Sequence, residues 1–306
     1  MRQYIVKRIG YSLISLFLLS ITIFLVIRAT GGDPALLLAG PGGRPEDVAR
    51  IRELWGLDRP WFEQYLSFAS NLIRGDFGTS FQYRMSVRDL YFERLPNSLM
   101  LAFAGLLVSL IIGIPAGIIS AVKVNTAWDS IAKVIAMIGL SVPGFFLGLV
   151  MILVFAVWLR WLPAAGSGTW RHLIMPSLAL GYYFAASMLR LTRSSMLDVL
   201  NSEYVKLARL KGLPERTVIV KHAFKNALIP VLTLAGVNFV VMANVAVIVE
   251  TIFAWPGIGR LLFEGISLRD FPLVQGIVLM AGAMIIGVNL VVDILYAWID
   301  PRIRYS

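Results

Sequence analysis

Long apolar runs separated by polar segments dominate the chain. Six runs approach or exceed the ~20 residues that a helix needs to cross a bilayer. They cover approximately Ile9–Ile27, Leu99–Val122, Ile131–Leu159, Leu173–Leu189, Ala227–Val249 and Leu273–Ile299. The fourth run is the weakest, because it is short and contains Pro176. Since polar material is confined between the runs, the pattern predicts an all-α integral membrane protein with six transmembrane helices.

The longest polar segment lies between the first two runs and has a helical pattern of its own. Glu46–Trp55 and Trp61–Ile73 have the spacing of short amphipathic helices, separated by Gly56–Pro60. The apolar side of the second helix would consist of Trp61, Phe62, Tyr65 and Phe68. Such a side could lie on the membrane or pack over the helix ends as a cap, and it could also dock an extracytoplasmic partner. The cap and the docking surface are compatible with each other.

A basic polar segment separates the fourth and fifth runs. Tyr204, Leu207 and Ala208 recur at helical spacing, and Gly212 stands where such a helix would stop. The segment is too long for a simple hairpin turn between two spans. It therefore predicts a short helix that serves as a docking surface for a soluble partner.

The distribution of charge assigns sides to these connections, because Lys and Arg are enriched in cytoplasmic loops. Residues 190–226 hold eight Lys/Arg against three acids, whereas residues 28–96 hold nine of each. Alternate connections are therefore basic, which predicts six crossings with both termini in the cytoplasm. This bias explains the net charge of +10. No basic face interleaved with aromatic residues indicates nucleic-acid binding.

These patterns divide the chain into three regions. Residues 1–28 would form an N-terminal tail and the first transmembrane helix, residues 29–97 an extracytoplasmic loop, and residues 98–306 a five-helix core. The loop at 190–226 belongs to that core. The first run starts like a signal peptide, but its apolar part is too long and no small-x-small cleavage site follows it, so we expect it to be retained.

Several chemistries find no support in the sequence. The chain has no cysteine and no phosphate-binding Gly-x-x-x-x-Gly-Lys-Ser/Thr loop, and His172 and His222 have no acidic cluster nearby. The acids closest to the membrane, Glu250 and Asp293, lie near span ends, so no proton relay is indicated. We therefore predict no catalytic, metal or cofactor site. The chain would be a conduit driven by a partner, although a channel or secondary carrier remains an alternative.

The basic segment resembles the cytoplasmic EAA loop of ABC-importer permeases. Lys206-Leu207-Ala208 occupies the place of the Glu-Ala-Ala triplet, and Gly212 that of its glycine. Only Ala208 and Gly212 match the general pattern. Ala208–Leu213 together with Lys225–Pro230 is similar to the dipeptide/oligopeptide/nickel permeases within that family.

Further segments along the whole chain resemble the same family in the same order. They are Gly32–Ala35, Gly56–Pro60, Gly75–Ser80, Arg94–Ser98, Ser141–Gly144, Met175–Ser177, Glu250–Gly259, Arg269–Pro272 and Asp300–Arg304. The long loop at 29–97 is similar to that of one of the two permeases in such a transporter. The resemblance implies a heterodimeric pore with a sister permease in the cytoplasmic membrane of a bacterium or archaeon.

The resemblance also implies the remaining partners and the cargo. Two cytoplasmic subunits would bind ATP and Mg and hydrolyse the ATP, so this chain would not be an enzyme. An extracytoplasmic solute-binding protein would deliver short peptides. Nickel chelates, glutathione or another peptide-like solute stay open as alternatives.

Three groups of residues are candidates for function. The ATPase-coupling loop comprises Glu203, Tyr204, Lys206, Leu207, Ala208, Arg209, Leu210, Lys211 and Gly212. The extracytoplasmic gate or binding-protein contact comprises Glu250, Phe253, Trp255, Pro256, Gly257, Gly259, Arg269 and Asp270. The expected helix breaks are Pro115, Pro143, Gly144 and Pro230. In the loop, Leu207, Ala208 and Leu210 would supply packing surface. Lys206, Arg209 and Lys211 would add charge pairing at its rim. Pro143-Gly144 could gate the pore or only shape packing.

Overall fold

A computed structural model describes residues 2–29, 34–39, 42 and 44–299, with backbone alone at residues 2–4, 34, 37–38, 54–55, 245 and 291–299. These residues are helical apart from short connections and one isolated bridge between Thr79 and Ser86. The segment Asp300–Arg304 and the first two residues of Gly32–Ala35 lie outside the described residues, as does the side chain of Asp293.

The helices follow one another along the chain with few long gaps. They are α1 (Arg2–Ala29), α2 (Pro34–Ala39), α3 (Pro45–Trp55), α4 (Trp61–Ile73), α5 (Val87–Val122), α6 (Ala127–Ser141), α7 (Gly144–Met151), α8 (Trp170–Leu200), α9 (Glu203–Leu210), α10 (Glu215–Thr217), α11 (Lys225–Val245), α12 (Val247–Ile252), α13 (Ile258–Ser267) and α14 (Phe271–Ile299). Helix α7 continues as a π-helical stretch, Ile152–Trp158, and a second such stretch, Val218–Phe224, joins α10 to α11.

Five of these helical segments are long and apolar enough to cross a membrane. They are Ile5–Ala29, Val87–Val122, Trp170–Leu200, Glu215–Asn244 and Phe271–Leu290. A sixth arises if Ala127–Ser141 and Gly144–Trp158, bent by 98° at their junction, count as one span. The prediction of an all-helical membrane protein is confirmed for the described residues, and its six spans correspond to five or six candidates.

The third apolar run is bent because Pro143 interrupts it. The residue before a proline is driven out of the helical region, and Val142 is accordingly extended, with ψ of 123°. Helix α6 therefore ends at Ser141, and α7 begins at Gly144. The hydroxyl of Tyr182 donates to the Val142 carbonyl and satisfies a group that the broken helix leaves free.

The other prolines flagged as helix breaks lie inside helices. Pro115 is in α5 and Pro230 is in α11, and neither helix ends there. Neighbouring packing and local adjustment make proline tolerable inside a membrane helix. Among the flagged prolines, Pro143 is the one that separates two helices.

The chain separates into two compact units. The first comprises Met1–Leu95 with Leu261–Ser306, and the second comprises Pro96–Arg260. The second unit carries the coupling loop and most of the predicted gate, and the first carries the long loop. The two units are therefore described separately.

Helix α8 is the centre of the second unit. Met175, Ala179 and Met188 on it are almost fully buried. Glycines of α5 let that helix approach closely, since a Cβ at Gly113 would stand 2.7 Å from the Ala185 carbonyl oxygen. Small residues in membrane helices commonly permit such contact between backbones. This packing holds α5 against the middle of α8.

In the first unit, α4 packs on α1 through aromatic rings. The ring of Phe24 lies 5.3 Å from that of Tyr65 and 5.8 Å from that of Phe68, measured between centroids. Trp61 and Phe62 are exposed. The predicted apolar side of α4 is therefore divided, with Tyr65 and Phe68 facing α1 and the other two facing outward.

Candidate functional site

Helix α9 forms the predicted coupling element and ends as the sequence suggests. It runs from Glu203 to Leu210, and Gly212 follows with φ of +74°. A side chain in this left-handed conformation costs about 1–2 kcal/mol. A Cβ at Gly212 would have no heavy atom within 4 Å. The need for glycine is therefore conformational, and the space around it is open.

One face of α9 is fixed to this chain. Val205 and Ala208 are buried against Met196, Val218 and Ala223. This cluster joins α9 to the end of α8 and to the stretch that leads into α11. Ala208, which was predicted to supply packing surface together with Leu207 and Leu210, lies on the inner side of the helix.

The opposite face of α9 carries an exposed apolar stripe. Tyr204, Leu207 and Leu210 stand three residues apart, and their exposed fractions are 45%, 52% and 84%. Residues at this spacing lie on one side of a helix. We call these three residues the coupling stripe. Its apolar side chains are presented outward on a helix whose other face is anchored.

Charged residues surround the stripe, and two of the predicted rim cations have partners within the chain. Lys206 Nζ lies 2.9 Å from Glu203 Oε1, and Arg209 Nη2 lies 2.8 Å from Glu215 Oε1. The Glu215 carboxylate raises the pKa of Arg209. This pair spans the turn at Gly212 and ties the end of α9 to α10. Lys211 is exposed.

The turn from α12 to α13 forms a buried structure around Glu250. The Glu250 carboxylate is 1% exposed and accepts hydrogen bonds from Ser98 Oγ at 2.6 Å and from the Arg260 amide at 3.0 Å. The Gly259 amide also donates to it. Burial raises the pKa of Glu250, although these hydrogen bonds act in the opposite direction.

Aromatic residues and glycines complete this turn. Phe253 and Trp255 are buried, and the Trp255 indole donates to the Asn97 carbonyl at 2.9 Å. A Cβ at Gly257 would lie 2.3 Å from the Glu250 carboxylate, and one at Gly259 would lie 2.5 Å from Val247 Cα. Pro256 is partly exposed, and its carbonyl accepts from Asn97.

The predicted contact of this turn with a binding protein stays a prediction. The side chains of Glu250, Phe253 and Trp255 are directed into their own unit. The role of the turn as a gate stays a prediction. Arg269 and Asp270 belong to the first unit. Asp270 is buried and accepts from Ser80 Oγ and from the Leu273 amide, so it caps α14, whereas Arg269 is exposed.

A buried ionic cluster at the start of α6 escaped the sequence-based reasoning. The Asp129 carboxylate is fully buried and accepts from Ser120 Oγ at 2.6 Å, from Arg193 Nε at 2.9 Å and from the Asn125 amide at 3.1 Å. Lys133 Nζ lies 2.7 Å from it. We call this the Asp129 hub. The spacing of Asp129 and Lys133 was a visible signal for part of it.

No group of three His, Cys, Asp or Glu that could hold a metal ion occurs among the residues that the structure describes. The arrangements found are instead an anchored helix with an exposed stripe, a buried turn and a buried ionic hub. Their chemistry is that of packing, charge pairing and mechanical connection.

Comparison with known proteins gives close relatives over the whole chain. The chain is 42% identical to the glutathione transport system permease protein GsiC of Escherichia coli (strain K12), over all 306 residues of both. It has the same identity and coverage with the protein of that name from Shigella dysenteriae serotype 1 (strain Sd197).

Solved structures show the same fold at low sequence identity. An inward-facing MetNI methionine ABC transporter structure matches 69% of this chain and 96% of its own, at 16% identity and a TM-score of 0.56. An amino acid ABC transporter crystallised with histidines matches 68% and 93%, at 14% identity and a TM-score of 0.54.

Two family descriptions cover nearly the whole sequence. The binding-protein-dependent transport system inner membrane component matches residues 113–305, and its N-terminal counterpart matches residues 1–102. The resemblance inferred from the coupling loop and the outer segments is confirmed. The chain belongs to the family of inner membrane components of binding-protein-dependent transport systems, as a permease subunit of a bacterial ABC importer.

Proposed function

We propose that this permease pairs with a sister permease and is driven by two ATP-binding subunits, one of which docks on α9. A solute-binding protein would deliver the cargo on the opposite side of the membrane. Both termini and the loop at 190–226 would then lie in the cytoplasm, as the charge distribution predicts.

The observation that carries this proposal is the coupling stripe. Leu207 and Leu210 expose large apolar side chains. On the other face of the same helix, Val205 and Ala208 pack in the apolar cluster with Met196 of α8. Burying a leucine in a partner's groove gains roughly 1.5–3 kcal/mol. Because the opposite face is anchored, a force applied to the stripe displaces the ends of the membrane helices too.

For the cargo, we propose glutathione or a short peptide of similar size. The GsiC proteins are named for glutathione transport, and they match this chain from end to end at 42% identity. Glutathione is a tripeptide, so it also falls within the peptide class that the sequence favoured. A nickel chelate stays the alternative cargo.

Family membership favours the importer over the secondary carrier or channel that the sequence left open. A carrier needs an ion-coupling site of its own, commonly acids or unwound helices at mid-depth. Among the residues whose side chains the structure describes, Asp129 is bound in a closed cluster of donors near a helix end. It offers no free carboxylate for an ion.

The proposal is tested by reconstituting the chain in lipid nanodiscs with its co-expressed sister permease and ATPase subunits. Binding proteins loaded with glutathione, a dipeptide, a longer peptide or a nickel chelate are added in turn, and ATP hydrolysis is measured. Stimulation by the glutathione-loaded or peptide-loaded protein is expected. Flux of solute through the chain without any ATPase subunit would contradict the proposal.

A further inference from the structure

The Asp129 hub and the apolar cluster that holds α9 involve the same ends of α5 and α8. In α5, Ser120 binds Asp129, and the next residue, Ala121, belongs to the cluster that holds α9. In α8, Arg193 binds Asp129, and Met196, three residues later, packs on α9. Residues three apart are neighbours on a helix surface. The end of α8 therefore contacts α9 on one side and α6 on the other, and the end of α5 belongs to the same apolar cluster and binds Asp129 of α6.

Helix α6 makes polar contacts at its two ends and an apolar contact with α8 between them. Its buried face consists of small residues, Ala132, Ala136 and Gly139, packed on Ala186 and Leu189 of α8. Small side chains let the backbones of the two helices approach closely, and the polar contacts at the ends add directional bonds to this apolar contact. The polar contacts at the ends are the Asp129 hub at the start of α6 and the bond from Tyr182 to Val142 just beyond its last residue.

We propose that the Asp129 hub is a positioning site that transmits movement of α9 to α6 and to the bend at Pro143. The hub joins α5, α6 and α8 at the point where α9 is seated, so that a push on the coupling stripe turns α6 together with its neighbours. Without the hub, α6 would be held to α8 by the apolar contact and the Tyr182 bond alone. This inference rests on the proposed role of α9.

The chemistry of the hub favours a joint that stays closed during transport. Arg193 contacts both carboxylate oxygens of Asp129, from Nε at 2.9 Å and from Nη2 at 3.2 Å. Opening the hub would leave a fully buried carboxylate without its partners, which is strongly unfavourable. Because these contacts are costly to break, the hub is suited to moving α5, α6 and α8 together. It is unsuited to opening and closing during the transport cycle.

The test uses the complete transporter in nanodiscs, with its binding protein and its ATPase subunits. Asp129→Asn and Arg193→Gln each remove one side of the charge pair. A paired variant, Asp129→Leu with Arg193→Met, removes both charges and leaves neither of these two buried and unpaired. The control is Lys123→Ala, which removes an exposed cation from the same connection without touching the hub.

Three quantities are measured in each variant: bound ATPase subunit, stimulated ATP hydrolysis, and solute taken up per ATP hydrolysed. We expect the paired variant to assemble and hydrolyse ATP while its uptake per ATP falls about tenfold, within the range usual for coupling between sites. A merely structural role would reduce the amount of folded complex and leave the ratio in the surviving complex unchanged. The control should keep the wild-type ratio.

The possible failures are distinguishable. Assembled hub variants with the wild-type uptake per ATP would overturn the transmission role alone. A folded paired variant that no longer binds the ATPase subunit would show that the hub positions α9 for docking. This result would also overturn the transmission role. Absence of any ATPase subunit from the purified wild-type complex would overturn the proposed function, and this inference with it.

Discussion

Helix α9 and the turn around Glu250 carry similar sequence signals and have opposite exposures. Both combine charged residues, large apolar residues and a glycine that ends a helix or shapes a turn. In α9 the apolar residues Leu207 and Leu210 are exposed, whereas Phe253 and Trp255 in the turn are buried. The comparison teaches that a polar segment between membrane helices can be either an exposed surface or a buried internal turn. Burial distinguishes the two.

The largest expected effect is at Gly257. In Gly257→Ala the new Cβ would stand 2.3 Å from the Glu250 carboxylate, which is buried and cannot move away freely. We expect a loss of stability at or above the ~1–3 kcal/mol that overpacking usually costs. Thermal melting of the purified chain measures it. The matched control, Gly236→Ala, places a Cβ in open space on α11, and equal melting temperatures for the two variants would contradict the packed turn.

Ala208→Glu should also destabilise the chain itself. The side chain would enter the apolar cluster formed with Met196 and Val218, and an uncompensated polar group there costs at least ~2 kcal/mol. Leu207→Glu, one residue away on the exposed face, should leave stability within ~0.5 kcal/mol. Folded yield and melting temperature distinguish the two variants. Equal losses of stability in the two variants would contradict the burial of one face of α9 and the exposure of the other.

Leu210→Asp should weaken ATPase binding while the chain stays folded. Loss of roughly 1.5–3 kcal/mol of apolar burial corresponds to about a 10- to 150-fold weaker complex. Titration of the ATPase subunit onto the reconstituted permease measures the affinity. Ile73→Asp is the control, because Ile73 is equally exposed, at 88%, but belongs to α4 in the other unit. Unchanged affinity in Leu210→Asp would remove the coupling stripe as the docking surface.

The Glu250 turn should make stability depend on pH. Burial raises the folded-state pKa of Glu250 above its ordinary value of 4.5, so the protonated form is favoured in the folded chain. Its contribution is therefore complete below about pH 4.5 and is lost as the pH rises through the raised value. Melting temperatures of wild type and Glu250→Gln across this range measure the effect. A profile of the same shape in both would assign the dependence to another group.

The smallest effect is expected at Glu215. This residue pairs with Arg209 across the turn at Gly212, and both side chains are largely exposed. Glu215→Gln should therefore cost no more than ~1 kcal/mol, and less at high salt. The pKa of Arg209 should fall toward its ordinary value, because the carboxylate that raises it is gone. A marked loss of uptake in this variant would give the pair a functional role beyond local support.

Local features were predictable from the sequence because they depend on neighbours along the chain. The second short helix of the long loop has the predicted bounds, Trp61–Ile73, and Gly212 has the left-handed conformation expected after α9. Pro143 was flagged, and the structure adds the size of the bend, 98°. Spacing rules reach only a few residues, and these features lie within that reach.

Features that depend on distant segments were missed or misplaced. Asp129 and Arg193 are 64 positions apart, and nothing local pairs them. Helical spacing grouped Ala208 with its neighbours Leu207 and Leu210, but it could not say which side of α9 faces the core. Successive residues differ by about 100° around a helix, so adjacent apolar residues can belong to opposite faces. The tertiary contacts of Val205 decide between the two sides.

The bend at Pro143 has a consequence for the lipid around the protein. Helix α6 has 15 residues, so it is about 22 Å long, whereas the hydrocarbon core is about 30 Å thick. If the bent pair is one span, the remaining thickness is covered by the segment beyond the bend, by local thinning of the bilayer or by a neighbouring protein surface. The length of the lipid acyl chains should therefore affect how this bent segment fits the membrane.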